Sequence, residues 1–190
     1  HIPKNAGTSV SSALLKNESY YFTWVILSKI LRKFKKTDNF FFYNIQNQFF
    51  LFTSHETVKT IENKISKDIF NNYFKFAIVR NPYSRFVSRY NYMKLTTNLN
   101  EKNFSVFLEN HVKKSLVADQ QYKFLLNKNG KIGVDKIIKY ENLNTEIQEL
   151  NKYTNLDFSK FEKLNVSTHD NYRDYYNKES KKIVEDFCRE

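Results

Sequence analysis

The first nine residues combine a charge, hydroxyls and a small-residue turn in the order that a phosphate cradle needs. They read His1, Ile2, Pro3, Lys4, Asn5, Ala6, Gly7, Thr8 and Ser9. Pro3 stiffens the chain, and Ala6 and Gly7 let backbone approach a ligand closely. Thr8 and Ser9 bring hydroxyls and amide N–H groups to a helix start, where anions are stabilised. Lys4 adds a mobile positive charge. An ordinary strand–turn–helix junction with a solvated lysine explains the same residues equally well.

A second cluster follows at residues 76–90. The apolar run Phe76-Ala77-Ile78-Val79 ends in Arg80, at the carboxyl end of a predicted strand, where open α/β sheets bind ligands. Pro82 suits the first position of a helix. Arg80 can clamp a phosphate bidentately while Ser88, on the side of Arg85, donates a hydroxyl. The alternative leaves Arg85 and Arg89 solvated and makes Arg80 a cap on the core. A third candidate is His55, two residues after the apolar run 49–53, where a lone histidine reads as structural or as a general base. His111 and His169 read as structural.

The glycines are Gly7, Gly130 and Gly133, three in all. Neither a Walker A loop nor a dinucleotide fingerprint can be written with them. Lys+Arg minus Asp+Glu is 31 − 20 = +11. That surplus fits an anionic partner such as a nucleotide, nucleic acid, phospholipid surface or acidic glycan, and equally a solubilising surface. Cys188 is the single cysteine, so no intrachain disulfide and no multi-cysteine zinc site can form. No metal constellation, signal peptide or transmembrane run is visible.

These residues need strands and helices to hold them, and the pattern alternates between the two in one domain over residues 1–190. Helices are predicted over residues 8–16 and 20–36. A strand over 49–53 precedes a helix carrying Val58, Ile61 and Ile65, with Thr57 as its N-cap. A strand over 74–79 precedes the Pro82 helix, with Phe86, Tyr90 and Met93 on one face. A helix over 104–113, a strand over 136–140, a helix marked by Leu143, Ile147 and Leu150, and a last helix from Lys178 complete the pattern.

Taken together, the first two clusters resemble the cofactor motifs of the carbohydrate sulfotransferase family that includes heparan sulfate 2-O- and chondroitin-type enzymes. Residues 1–9 are similar to its 5′-phosphosulfate loop, departing at Asn5, where Thr is usual. Residues 79–90 are similar to its 3′-phosphate motif. Residues 51–55 resemble the segment that carries the family's catalytic histidine, with Ser54 where Gly is common. Residues 120–126 and 135–143 resemble later blocks, and 165–176 the loop that covers the cofactor.

The resemblance implies an α/β fold with a P-loop-NTPase-like central parallel sheet flanked by helices, its first strand largely missing ahead of His1. It implies 3′-phosphoadenosine 5′-phosphosulfate (PAPS) as donor and no metal. Lys4, Asn5, Ala6, Gly7, Thr8 and Ser9 would meet the 5′ end, Arg80 and Ser88 the 3′-phosphate, and Arg173 would close over the nucleotide. Lys4 and His55 would carry the catalysis. The acceptor is expected to be a hydroxyl on a glycan, with no nucleic-acid partner. The rival readings are a basic nucleic-acid-binding protein and an inactive nucleotide- or glycan-binding relative. Composition favours a bacterial, cytoplasmic enzyme, with a Golgi lumen as the alternative. Sequons at Asn17, Asn103 and Asn165 bear on that choice, because a glycan on the last would crowd the presumed cofactor loop.

Overall fold

The computed structural model describes residues 2–16, 40–45, 48–53, 55–96, 103–113, 120–154, 157–159, 161 and 170–189. The predicted helix over 20–36, together with His1, Ser54 and His169, lies outside them. So do residues 165–169 of the 165–176 loop, whose residues 170–176 are described.

Helix α1 (Gly7–Lys16) opens the chain. Strands β1 (Phe40–Ile45) and β2 (Gln48–Thr53) pair antiparallel, from Phe40 opposite Thr53 to Ile45 opposite Gln48. Sequence reading gives β1 no element, because its unbroken aromatic run lacks the alternation that marks a half-buried strand. Helix α2 (Val58–Lys64) follows, with Thr57 as its N-cap accepting from the Thr60 amide at 3.1 Å. It stops short of the predicted Ile65, and a separate α3 (Lys67–Asn72) begins at the Ser66 cap.

Strand β3 (Phe76–Val79) runs parallel to β4 (Lys136–Lys139), Phe76 opposite Lys136 and Val79 opposite Lys139. Lys75 and Asp135 set this register: the Lys75 amide donates to the Asp135 carboxylate at 2.7 Å, and the Asp135 amide returns a bond to the Lys75 carbonyl at 2.7 Å. The described residues thus form a helix-rich α/β arrangement with one parallel strand pair and a separate hairpin.

Helix α4 (Pro82–Thr96) begins at Pro82, whose missing N–H is no loss in a first turn. Asn81 caps it, accepting from the Tyr83 and Ser84 amides at 3.0 and 3.3 Å. Then come α5 (Phe104–Lys113) and the short α6 (Gln121–Leu125). The strand predicted to reach Tyr140 ends at Lys139, where a 3-10 turn, Tyr140–Asn142, begins. Leu143, Ile147 and Leu150 are fully buried across α7 (Leu143–Glu146) and a second 3-10 turn, Gln148–Lys152. The last helix is α8 (Lys178–Arg189).

Side chains alternate along β3. Ile78 packs with Ile138, Leu143, Ile147, Leu150 and Phe158, and Val10 of α1 joins that cluster. Ala77 and Val79 point the other way, onto a cluster of Ile2, Phe124 and Leu125. Ile2 and Val10 therefore anchor on opposite faces of β3, and the loop between them crosses the strand's carboxyl end. A third cluster joins α4, α5 and α8 through Phe86, Val87, Tyr90, Phe107, Leu108 and Val184.

The turn after α6 ties α2 down. The Lys59 amide donates to the Leu126 carbonyl at 3.0 Å, and the Gly133 amide to the Leu125 carbonyl at 2.8 Å. A Cβ on Gly133 would lie 2.6 Å from Val58 Cγ1 and 2.9 Å from Asn127 Cβ. Gly133→Ala must therefore displace α2 or this turn, at about 1–3 kcal/mol. Thermal unfolding should show a midpoint several degrees lower, and an unchanged midpoint would disprove the close approach.

Candidate active site

The crossing loop is not held by glycine. Lys4 and Ala6 take left-handed conformations, with φ of 65° and 60°. Each costs about 1–2 kcal/mol for an L-residue, so contacts must hold them. The Pro3 carbonyl accepts from Arg85 Nε at 3.0 Å, and the Lys4 carbonyl from Arg80 Nη1 at 3.2 Å. Asn5 Nδ2 donates to the Ile78 carbonyl and to Gln121 Oε1, both at 2.7 Å.

Two arginines thus grip the loop through its carbonyls. Arg85 is 2 % exposed. The alternative that left it solvated is corrected: packing on the α4 face that meets the loop buries it. Arg89, four residues on, is partly buried. Arg80 is fixed more tightly. Its Nε donates to Ser84 Oγ at 2.9 Å, and its guanidinium lies over the Tyr140 ring, 4.2 Å from the centroid. The Arg80 amide donates to Gln121 Oε1 at 2.9 Å, and its carbonyl accepts from Gln121 Nε2 at 2.7 Å. Burial lowers the Arg80 pKa, while Tyr140 and Glu141 raise it. An arginine stays charged regardless.

Lys4 Nζ sits 3.9 Å from the centroid of the half-exposed Tyr92 ring. Desolvation first, then the charges of Arg80 and Arg89, pull its pKa down to about 8. An anion bound here would relieve that repulsion. Helix α1 starts beside it: the Val10 amide donates to the Ala6 carbonyl at 3.1 Å, so the amides of residues 7–9 stand at the helix's positive end. Gly7 and Ser9 are buried and Thr8 is exposed. Ser88 is buried on α4, one turn beyond Ser84 and Arg85.

His55 follows β2 and is exposed. Its pKa is lowered, first by desolvation and then by neighbouring positive charges, Arg89 and Arg85 among them. The imidazole is therefore neutral at pH 7 and ready to accept a proton. Arg173 is carried by a different segment, residues 172–175. It is exposed, its guanidinium 5.3 Å from the Tyr172 ring centroid. The 3-10 turn Tyr172–Tyr175 that carries it docks on α4, where Asn91 Nδ2 donates to the Tyr175 hydroxyl at 3.3 Å. Just beyond the turn, the Tyr176 hydroxyl donates to the Tyr83 carbonyl at 2.9 Å. Among the described residues no three His, Cys, Asp or Glu side chains form a metal-binding group.

The family model for the sulfotransferase family matches residues 1–190. This chain belongs to the sulfotransferase family. A protein of Archaeoglobus fulgidus, described as uncharacterized, is 35% identical over 117 residues, which are 60% of this sulfotransferase and 93% of that protein. No solved structure matches it. No helix among the described residues is long and apolar enough to cross a membrane.

Gln121, Ser84, Arg85 and Tyr140 contact the loop or Arg80, and sequence reading names none of the four as a site residue, although each lies inside a block with family resemblance. Asn5 is the most sensitive point. It is 1 % exposed, and its Oδ1 has no hydrogen-bond partner among the described residues. The amide cannot turn over, because Gln121 is oriented by Arg80 and the Ile78 carbonyl only accepts. Asn5→Ala should cost about 1–3 kcal/mol. Asn5→Asp should cost more at pH 7, since a buried carboxylate would face two acceptors, and should recover as acid protonates it. Urea denaturation at pH 5 and 7 checks the order, and an Asp variant as stable as wild type at pH 7 would refute the network.

Proposed function

We propose that this sulfotransferase takes PAPS as donor, transfers its sulfuryl group to a hydroxyl on a carbohydrate, and builds the donor site on a P-loop-like sheet. The observation that carries the reading is the direct bond between its two candidate phosphate-binding parts, Arg80 Nη1 to the Lys4 carbonyl at 3.2 Å. A nucleotide with phosphates at both its 3′ and 5′ positions matches two positive centres held at a fixed separation. The residues fit such a ligand. Of the five N–H donors of Arg80, Nε and one on Nη1 are engaged internally, which leaves the other edge of the fork for phosphate oxygens.

Bound PAPS supplies an activated sulfuryl group, whose bond to the phosphate oxygen breaks as the acceptor oxygen bonds to sulfur. The amides and hydroxyls of Ala6, Gly7, Thr8 and Ser9 hold the 5′-phosphate. Arg80 and Ser88 hold the 3′-phosphate. Lys4 leaves Tyr92 to face the phosphate oxygen that takes up the electron pair. His55 accepts the proton from the acceptor hydroxyl. Arg173 closes over the nucleotide from its turn on α4. Preorganised positive charge and positioning carry the rate, as in phosphoryl transfer.

Binding of 3′-phosphoadenosine 5′-phosphate (PAP) should raise the unfolding temperature, with about 2.7 kcal/mol of stabilisation at a hundredfold excess over Kd. Adenosine 5′-monophosphate should do far less, and equal effects would overturn the 3′-phosphate assignment. PAP affinity should fall as pH rises through about 8, where Lys4 loses its proton. Lys4→Met should flatten that dependence. His55→Ala should keep PAP affinity and lose roughly 10²–10⁴ in transfer rate; unchanged turnover would remove the histidine from the mechanism.

A further inference from the structure

Helix α6 is five residues long and carries no group that would react, yet its first side chain touches both halves of the basic site. Gln121 uses its amide as a strand neighbour would use a peptide. Oε1 accepts from the Arg80 amide at 2.9 Å and Nε2 donates to the Arg80 carbonyl at 2.7 Å. The same Oε1 accepts from Asn5 Nδ2 at 2.7 Å. Asn5 in turn donates to the Ile78 carbonyl, two residues before Arg80. Three segments, residues 2–9, the end of β3 and α6, thus close one hydrogen-bonded ring around the strand's carboxyl end.

We propose that Gln121 is a positioning residue that fixes the separation between the Lys4 loop and the Arg80 guanidinium, and so sets this sulfotransferase's preference for a nucleotide phosphorylated at both ends. The inference rests on the donor reading above. β3 ends at Val79, so the ladder offers Arg80 no backbone partner, and Gln121 supplies both bonds from a side chain. Without it, the Arg80 backbone is free to turn, and the fork swings relative to the loop it grips. Asn5 loses one of its two acceptors at the same moment, so the errors at the two ends combine. A displacement near 1 Å can cost on the order of a hundredfold in a positioned site.

The same segment reaches further. The Leu126 carbonyl, five residues on, accepts from Lys59 of α2, whose first residue is three after His55. The segment that begins with α6 therefore meets α2 as well as the Arg80 end of β3, and Gln121 is the part that meets the latter.

The experiment compares wild type, Gln121→Ala and Gln121→Glu by calorimetric affinity for PAP and for adenosine 5′-monophosphate, alongside amide hydrogen exchange in the absence of nucleotide. Gln121→Ala should speed exchange at the Arg80 amide and weaken PAP binding about ten- to a hundredfold. The ratio of the two affinities should collapse towards one. Gln121→Glu keeps the acceptor and loses the donor, so PAP preference should fall at pH 8 and return towards pH 5, where the protonated carboxyl can donate to the Arg80 carbonyl. A lowered unfolding temperature with an unchanged affinity ratio would make Gln121 merely structural and overturn the proposal. Unaltered Arg80 exchange in both variants would overturn it as well. A wild-type protein that binds no PAP would sink the donor reading, and the proposal with it, whatever the exchange rates show.

Discussion

One buried and one partly buried arginine need acceptors, and the N-terminal loop supplies them. Arg80 and Arg85 each donate to a loop carbonyl, those of Lys4 and Pro3. A guanidinium taken out of water without such partners is strongly unfavourable. The carbonyls can turn towards the arginines because Lys4 and Ala6 accept left-handed backbone. Strain in the loop and burial of charge on α4 are thus two sides of one arrangement, and neither stands without the other. Glu141 approaches Arg80 and bonds the Asn81 amide at 2.8 Å, while Asn5, Gln121 and the carbonyls of Pro3 and Lys4 are neutral partners in the same arrangement.

Neutral partners matter for the proposed donor. A carboxylate in place of the Lys4 or Pro3 carbonyl would hold its arginine just as firmly but would weaken the positive field of the loop. Neutral amides and carbonyls fix geometry while leaving the charge in place. Lys4 and His55 are both pushed towards their neutral forms, by burial first and then by neighbouring cations. For Lys4 an incoming anion would reverse the push. For His55 the push suits the proposed role, since a base must start deprotonated.

Most of the helices and both strands of the parallel pair were legible in the sequence, because their apolar residues recur at fixed spacing. Pro82 at a helix start and Leu143, Ile147 and Leu150 as one buried stripe follow from local rules alone. What sequence could not show is long-range. Asn5 meets Gln121 across 116 positions, and Arg85 meets Pro3 across 82. No periodicity encodes such pairs. The alternative that leaves Arg85 solvated fails for the same reason: burial of a charged residue depends on an acceptor that only folding brings near. The β1 strand escaped because its aromatics do not alternate, and α6 because five residues carry too little pattern. The candidate residues of the first cluster, with Arg80 and Ser88, were legible as types and spacing, whereas the conformations that make them a cradle were not.

The loop's two anchors have a consequence for its length. Ile2 packs on one face of β3 and Val10 on the other, and between them the carbonyls of Pro3 and Lys4 and the side chain of Asn5 each have a fixed partner. Such a segment behaves as a bridge of set span. One residue added or removed cannot be absorbed as slack, because every position after it would present the wrong group to the strand end. Insertions and deletions therefore have nowhere to go until the chain is clear of both faces of β3.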